Sequence, residues 1–414
     1  MTSSETPQWL LGAVAPLAER FTLAGHELYL VGGVVRDMEL GRHVEGADLD
    51  CTTDARPEQT LALLEGLATA IWRQGERFGT IGAKVAGYDF EVTTFRADAY
   101  DPTSRKPVVT FGDSIRDDLA RRDFTVNAMA LRLPDLVLID PFLGKADLGA
   151  GVLRTPLAPE ISFSDDPLRM LRAARFAAGY GLRPTSELTS AARQMADRLG
   201  IVSVERVWQE LSKLLRLPDP SAGLDLLVET GLSSFVVAEL AGAGPPGLAR
   251  VAAAPPDPVL RLVALLQTEE RVRLRLRALR ASSAELDRGT RLARWWERLP
   301  AVWPTDPDAA SRAERELLVG AGPVADDLLE LLAAVGEQSS AERLGERAAA
   351  EPDLVDLHPP LDGDAVMARL GLDPGPEVGA ALAALREARL AGGPLDEATA
   401  FEVLDGWFAR RTAD

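Results

Sequence analysis

Residues 28–53, LYLVGGVVRDMELGRHVEGADLDCTT, decide the fold of the amino-terminal part of this chain. The run LYLV is apolar and predicts a short buried strand that stops at Gly32 and Gly33. VVRDMEL then has helical character, and ADLDCTT (47–53) predicts a second short strand. A strand, a glycine turn, a helix and another strand indicate a mixed α/β region.

The flanking sequence extends this pattern over residues 1–150. The predicted helices cover residues 8–24, 55–68 and 117–130. The predicted strands cover 79–86 and 88–95, which form a hairpin at Gly87, and 136–140. The polar segment 97–113 is predicted to be a loop.

After residue 150 the strand signal nearly vanishes. Helices are predicted over 166–181, closing on Gly179 or Gly181, and over 203–217, with Ser203 as N-cap. Residues 218–414 alternate Leu- and Ala-rich amphipathic stretches with Pro and Gly breaks, which is typical of helices. The fold class is therefore α+β, with a mixed first part and an all-α remainder.

Composition excludes several classes of function. The 414 residues carry a net charge of −18, which argues against a broadly basic nucleic-acid coat but allows a local basic groove. The single cysteine, Cys51, excludes an intrachain disulfide and a cysteine zinc site, and three histidines are too few for a histidine-rich metal centre. No apolar run approaches the roughly 18 residues of a membrane span. We expect a cytoplasmic protein with no membrane partner, and the sequence leaves its oligomeric state open.

The first candidate site combines the glycine turn with two acids. Gly32 and Gly33 allow close backbone approach to a triphosphate, with helix amides aimed at it. Asp48 and Asp50 alternate on a predicted strand, so both carboxylates point to one face, where Mg²⁺ would relieve their repulsion. The alternative is a solvated acidic strand edge.

The second candidate site is RRDFTVNA, residues 121–128. Arg122 can clamp a phosphate, and Asp123 or Asn127, four apart on the predicted helix, can bond ribose hydroxyls. The alternative is a surface helix with an ion pair.

The third candidate site is DDPLRMLRAAR, residues 165–175, in which Asp166 and Arg169 are three apart and share a helix face. An arginine fork donates to the ring nitrogen of cytosine or adenine, and a carboxylate accepts from the exocyclic amine. Uracil and guanine present a carbonyl there, so such a pair accepts C and A and rejects U and G. The alternative is an Asp–Arg pair that complements the helix dipole.

Five segments in order carry a family resemblance: LVGGVVRD with DLD, RRDFTVNAMAL, DPFLGKADL (140–148), DDPLRMLRAARFA and ERVWQEL (205–211). They resemble the successive motifs of class II tRNA nucleotidyltransferases, the CCA-adding enzymes and bacterial poly(A) polymerases. The resemblance covers about residues 20–217 and extends weakly beyond. It implies a polymerase-β-like catalytic head (1–150), a base-selecting neck (151–217), a helical body (218–325) and a tRNA-binding helical tail (326–414).

The resemblance also implies roles for individual residues. Metal binding and catalysis fall to Asp48 and Asp50, with Glu91 as a possible third carboxylate or a structural residue. The implied triphosphate, ribose and base contacts fall to Gly32, Gly33, Arg36, Arg122, Asp123, Asn127, Asp166, Arg169, Arg172 and Arg175. Asp165 stands where the family usually has Glu. An arginine run, Arg271 to Arg280, is either a tRNA contact or a solvated helix face.

The implied activity is template-independent addition of C and A to the 3′ end of tRNA, from CTP and ATP with Mg²⁺. Addition of A only, of CC only, and poly(A) synthesis stay open as alternatives. The loop 95–111, with Arg105, keeps close to the usual family length and favours an enzyme that adds A. The acidic second half disfavours a poly(A) polymerase with a basic extension. A non-catalytic RNA-binding protein would lack the metal acids, and an antibiotic-modifying transferase would lack the Asp166–Arg169 helix.

Overall fold

A computed structural model describes residues 8–42, 48–96, 111–358 and 360–412. The chain divides into two compact units, Met1–Gly242 and Ala243–Asp414. His43 and most of the predicted loop 97–113, including Arg105, lie outside the described residues.

A mixed sheet forms the centre of the first unit. In the described part of the chain it has seven strands, in the order β3-β4-β5-β2-β1-β6-β7. The pair β2·β5 is parallel and the other neighbours are antiparallel. The strands are β1 (Leu28–Val31), β2 (Leu49–Thr53), β3 (Ala70–Trp72), β4 (Thr80–Val85), β5 (Tyr88–Thr94), β6 (Ala130–Arg132) and β7 (Val137–Ile139). The predicted hairpin at Gly87 is confirmed as β4·β5.

Helices surround this sheet and continue beyond it. A short parallel pair, β8 (Val152–Leu153) and β9 (Arg183–Pro184), lies among them. The helices are α1 (Gln8–Leu23), α2 (Gly33–Glu39), α3 (Pro57–Leu64), α4 (Ile115–Ala120), α5 (Gly144–Ala150), α6 (Pro159–Asp165), α7 (Leu168–Tyr180), α8 (Ser186–Gln194), α9 (Val204–Leu215), α10 (Ser221–Glu229) and α11 (Ser233–Val236). Helix α7 ends on Gly181 in the left-handed conformation, as expected of a C-cap glycine.

The predicted helix over 117–130 is wrong. Helix α4 ends at Ala120, Phe124 is extended, and a single 3₁₀ turn covers Thr125–Asn127. The Asp123 carboxylate accepts from the Phe124 amide at 2.8 Å, so a side chain replaces the helical hydrogen bond there. The turn packs tightly against α5. A Cβ on Gly144 would lie only 2.1 Å from the Thr125 carbonyl oxygen, so no side chain fits there.

Two smaller corrections concern the helix starts. Ser203 occupies the N-cap position of α9, but its side chain makes no capping hydrogen bond. Asp166 lies in an extended conformation between α6 and α7 instead of on a helix, and Asp165 ends α6. Pro167 forces this break, because the residue before a proline is disfavoured in helical geometry.

The second unit is helical, as predicted. Its helices are α12 (Glu239–Ala253), which begins in the first unit and breaks at Gly244, α13 (Pro258–Leu266), α14 (Glu269–Ala278), α15 (Ser283–Glu297), α16 (Pro307–Ala321), α17 (Ala325–Ala334), α18 (Gln338–Ala350), α19 (Gly363–Leu370), α20 (Pro376–Gly392) and α21 (Glu397–Thr412). Glu351 accepts from Arg315, Arg347 and Arg389, which ties α16, α18 and α20 together. Burial opposes its ionisation, but these arginines lower the pKa of Glu351 to about 2.

In the described residues, no helix is both long enough and apolar enough to cross a lipid bilayer.

Candidate active site

Two carboxylates lie side by side on the sheet. Asp50 on β2 pairs directly with Glu91 on the parallel strand β5, and both residues are exposed. Leu49 and Cys51, which flank Asp50, point to the opposite, buried face because side chains alternate along a strand. Asp48 precedes β2 and is exposed. The sheet therefore presents Asp50 and Glu91 on one open face.

The glycine turn adjoins this carboxylate pair. Gly32 ends β1 with φ 75° and ψ −135°, a conformation that residues with a side chain rarely adopt. A Cβ on Gly32 would lie 3.6 Å from Asp50 Oδ2 and 3.6 Å from Arg122 Nη1. The backbone at Gly32, the Asp50 carboxylate and the Arg122 guanidinium therefore lie close together. Helix α2 begins at the next residue, Gly33.

The pKa of Asp50 is raised. Desolvation by the surrounding protein contributes most, then the charge of Glu91, while Arg122 works in the opposite direction. The Asp50 residue is nevertheless exposed to solvent. A carboxylate crowded by another carboxylate gains from a nearby cation. Among the described residues, no group of three or more His, Cys, Asp or Glu side chains is arranged so that it could hold a metal ion.

The guanidinium group of Arg122 binds a buried aspartate. Asp118 on α4 has no exposed surface and accepts from Arg121 Nη2 at 2.6 Å and Arg122 Nη2 at 3.1 Å. Burial alone would raise the pKa of Asp118, but the charges of Arg122 and Arg121 lower it. The sequence interpretation missed Asp118. Its spacing of three and four residues before the two arginines was the available signal.

Asp123 is the centre of a second buried network. Its Oδ2 accepts from Arg172 Nε at 2.8 Å, and its Oδ1 accepts from Asn127 Nδ2 at 2.9 Å. Burial opposes ionisation, but Arg172 and Asn127 lower the pKa of Asp123. Asp123 and Asn127 do meet, as predicted from their spacing, but across a turn and not along a helix.

Arg36 belongs to the same network. It is buried, donates from Nη1 to Asn127 Oδ1 at 2.7 Å, and bonds to Asp37 through Nε and Nη2. Its guanidinium carbon lies 4.1 Å from the centroid of the Tyr180 ring, a cation–π arrangement. Arg36 thereby links α2 to the 125–127 turn and to α7.

The two predicted base-reading residues have protein partners in this structure. Asp166 accepts from the Leu168 amide at 3.2 Å and from Arg206 Nη2 at 2.8 Å. Arg169 donates to Ser162 Oγ at 2.8 Å and to the carbonyl of Arg121. Both side chains are partly exposed. The partner Arg206 lies within the ERVWQEL segment but carried no predicted role.

Arg175 also has a partner that the sequence interpretation missed. Its Nε donates to Glu210, a buried residue on α9, so α7 and α9 are joined by an ion pair. Arg172 and Arg175 both lie near the ring of Phe176. The predicted site residues therefore form a carboxylate pair beside Arg122, a buried network around Asp123, and a partly exposed set at the start of α7.

Comparisons with known proteins match this arrangement. The model of the poly A polymerase head domain matches residues 28–154. The model described as a probable RNA and SrmB-binding site of polymerase A matches residues 181–243. The first of these ranges contains the carboxylate pair, the glycine turn and the RRDFTVNA segment.

Curated relatives and a solved structure point the same way. CCA-adding enzymes of Geobacillus sp. (strain WCH70) and Geobacillus stearothermophilus are 39% and 38% identical over 230 and 232 residues, 55% of this chain. The chain spans about half, 54%, of the length of each of these relatives. A crystal structure of the Bacillus stearothermophilus CCA-adding enzyme in complex with CTP aligns with a TM-score of 0.77 and 29% identity, covering 98% of this chain and 99% of that one. The chain is therefore similar to poly A polymerase head and RNA-binding domains over residues 28–154 and 181–243, and to a CCA-adding enzyme over nearly its whole length.

Proposed function

We propose that this chain is an enzyme that adds C and A to the 3′ end of tRNA without a template, using CTP and ATP and releasing pyrophosphate. The observation that carries the proposal is the pairing of Asp50 with Glu91 beside Gly32 and the Arg122 guanidinium. The relatives named as CCA-adding enzymes support the choice of tRNA as acceptor. We place the reaction in the cytoplasm, where tRNA is available.

Enzymes of this family generally use divalent metals, and we propose Mg²⁺ here. The donors on this face of the sheet are carboxylate oxygens, which suit a hard cation, and the crowding of Asp50 by Glu91 fits a bound positive charge. Asp48 and Asp50 would hold the metal, with Glu91 as the third candidate. When bound, the metal activates the attacking hydroxyl and stabilises charge on the leaving group.

The remaining chemistry is assigned to the residues of this chain. Gly32 and Gly33 admit the triphosphate to the backbone, and Arg122 offers it a guanidinium donor. Arg36, Asp123, Asn127 and Arg172 already bond with one another, so we propose that they bind the nucleotide as one preorganised network. Asp166 and Arg169 read the base, and Arg175 joins α7, the helix that carries Arg169, to α9.

Base reading requires an exchange of partners. The Asp166 carboxylate accepts from the exocyclic amine of C or A, and Arg169 donates to the ring. Arg169 then gives up part of its contact with Ser162, while Arg206 holds the Asp166 carboxylate in position. We also propose that the head (1–150), neck (151–217), body (218–325) and tail (326–414) divide these tasks, the tail gripping tRNA.

The experiment uses purified protein with Mg²⁺ and three tRNA transcripts, ending at the discriminator base, at C and at CC. Each is offered CTP, ATP or both, and the products are sized on a sequencing gel. Extension of all three to CCA supports the proposal. Addition of a single A to the CC-ending transcript alone makes the protein an A-adding enzyme, extension that stops at CC makes it a CC-adding enzyme, and long A tails indicate a poly(A) polymerase.

A further inference from the structure

Asp118 has features that a surface ion pair lacks. Its carboxylate is fully buried, and its side chain contacts Arg121 and Arg122 at the point where α4 ends. It also accepts from the backbone amide of Arg96 at 3.3 Å. Four donors on one buried carboxylate fix its position, and the carboxylate in turn fixes the two guanidinium groups.

Arg122 is fixed at one nitrogen and has a donor left over. Nη2 is engaged by Asp118, and Nη1 lies beside Gly32 and Asp50. Nε is buried and has no hydrogen-bond partner among the described residues. The fold keeps this orientation although a buried donor without a partner is unfavourable. The arrangement holds an arginine donor ready for an anionic group at the glycine turn.

We propose that Asp118 is a positioning residue that holds Arg122 toward the triphosphate of the incoming nucleotide. This inference rests on the proposed function and adds to it a residue with no predicted role. Asp118 itself does not touch the substrate. Its effect is therefore specific to the phosphates that Arg122 reaches, and leaves contacts with the base and the ribose largely unchanged.

The test compares the binding of CTP and of CMP by calorimetry, because CMP lacks the β- and γ-phosphates. Asp118→Asn keeps the shape of the side chain and removes its charge. We expect a Kd for CTP that rises by about 10-fold or more, as for loss of a charged hydrogen bond, with little change for CMP. Asp117→Asn is the matched control, since Asp117 is exposed on the same helix, and should leave both affinities unchanged.

A double variant separates positioning from general damage. If Asp118 acts through Arg122, Asp118→Asn combined with Arg122→Gln binds CTP no more weakly than Arg122→Gln alone. Fully additive losses would overturn the inference. Should Asp118→Asn fail to fold, Asp118→Glu decides, because it keeps the charge but shifts the carboxylate, and it should also lower the preference for CTP over CMP.

Assays of the wild-type protein separate a failure of the Asp118 role from a failure of the proposed function. If it extends tRNA and binds CTP, but the Asp118 variants keep the wild-type ratio of CTP to CMP affinity, the role of Asp118 is refuted and the proposed function stands. If the wild-type protein neither binds CTP nor extends tRNA, the proposed function fails and the role of Asp118 fails with it.

Discussion

Asp50 and Glu91 are directly paired across the parallel strands β2 and β5, and their side chains share the open face of the sheet. Two like charges at this spacing repel, and the raised pKa of Asp50, owed first to desolvation and then to Glu91, reflects that repulsion. The fold maintains this unfavourable pair next to Gly32 and Arg122. Such an arrangement is expected of a site whose ligand is positively charged.

Glu91→Gln should reduce nucleotide transfer. If Glu91 helps to hold the metal, the variant needs more Mg²⁺ and its kcat falls by at least about tenfold. The measurement is the rate of transfer to a CC-ending tRNA as a function of Mg²⁺ concentration. Asp89→Asn, on the same strand and paired with Lys84, is the control. Wild-type rate and metal dependence in Glu91→Gln would show that Glu91 is structural.

The raised pKa of Asp50 predicts that removing its charge by Asp50→Asn stabilises the fold at neutral pH. A carboxyl whose pKa is higher in the folded state stabilises the fold at low pH, and that contribution is lost as pH rises through the folded pKa. Asp50→Asn should therefore have a higher Tm than the wild type at pH 7.5 in the presence of a chelator, with the difference shrinking toward pH 4. A variant that is less stable at pH 7.5 would contradict this.

The same pKa predicts the pH dependence of the wild-type enzyme. Metal binding requires the ionised carboxylate, so transfer at limiting Mg²⁺ should decline as pH falls through the raised pKa of Asp50. Saturating Mg²⁺ should move this decline to lower pH, because the cation competes with the proton. A decline in rate that does not depend on Mg²⁺ concentration would assign it to another group.

Arg172→Met should destabilise the first unit. It leaves the buried Asp123 carboxylate without its main positive partner, which typically costs about 3 kcal/mol. The pKa of Asp123 is lowered in the fold, so this stabilisation is present above the unfolded pKa of about 4 and is lost as pH falls through the folded pKa. Urea denaturation at pH 7 measures the change.

Arg193→Met is the control for that experiment. Arg193 pairs with Glu229 at 3.2 Å, but both side chains are more than half exposed. Its loss should change the free energy of unfolding by less than about 1 kcal/mol. Equal effects of the two substitutions would mean that the Asp123 network does not stabilise the fold as inferred.

Asp166→Ala should relax base selection as well as lower the rate. Without the carboxylate, the carbonyl of uracil or guanine no longer faces another acceptor, so discrimination of CTP against UTP should fall by at least about tenfold. The ratio of kcat/KM values for the two nucleotides on the same tRNA gives the answer. Asp197→Ala, an exposed acid in the same unit, should keep the wild-type ratio. An unchanged ratio in Asp166→Ala would remove Asp166 from base reading.

Local sequence patterns predicted the strands that have apolar or alternating residues and the helix that ends at a glycine. Strands β1, β2, β4 and β5 follow apolar or alternating runs, and α7 ends at the predicted Gly181. The pairing of Asp50 with Glu91 joins residues 41 positions apart through a parallel register, and no local pattern encodes such a register. The family resemblance therefore grouped Glu91 with Asp50 as a third carboxylate, but the strand pairing that makes them neighbours was not predicted.

The segment 117–130 shows why the structure around Asp118 and Asp123 was not predicted. Its apolar spacing favours a helix, but α4 ends at Ala120, and the Asp123 carboxylate accepts from the Phe124 amide, which a continuous helix would bond to a backbone carbonyl. Arg172 reaches Asp123 from α7, 49 residues away in sequence. Tertiary ion pairs thus override local propensity at the residues assigned to nucleotide binding, as functional sites often do.

The most direct test of the central claim is single-turnover transfer of AMP from ATP to a CC-ending tRNA, by the wild-type protein and by Asp50→Asn. We expect one added A for the wild type and a rate at least about 10³-fold lower for Asp50→Asn, with equal tRNA binding by both proteins. A wild-type protein that adds no nucleotide, or an Asp50→Asn variant that retains the wild-type rate, would contradict it.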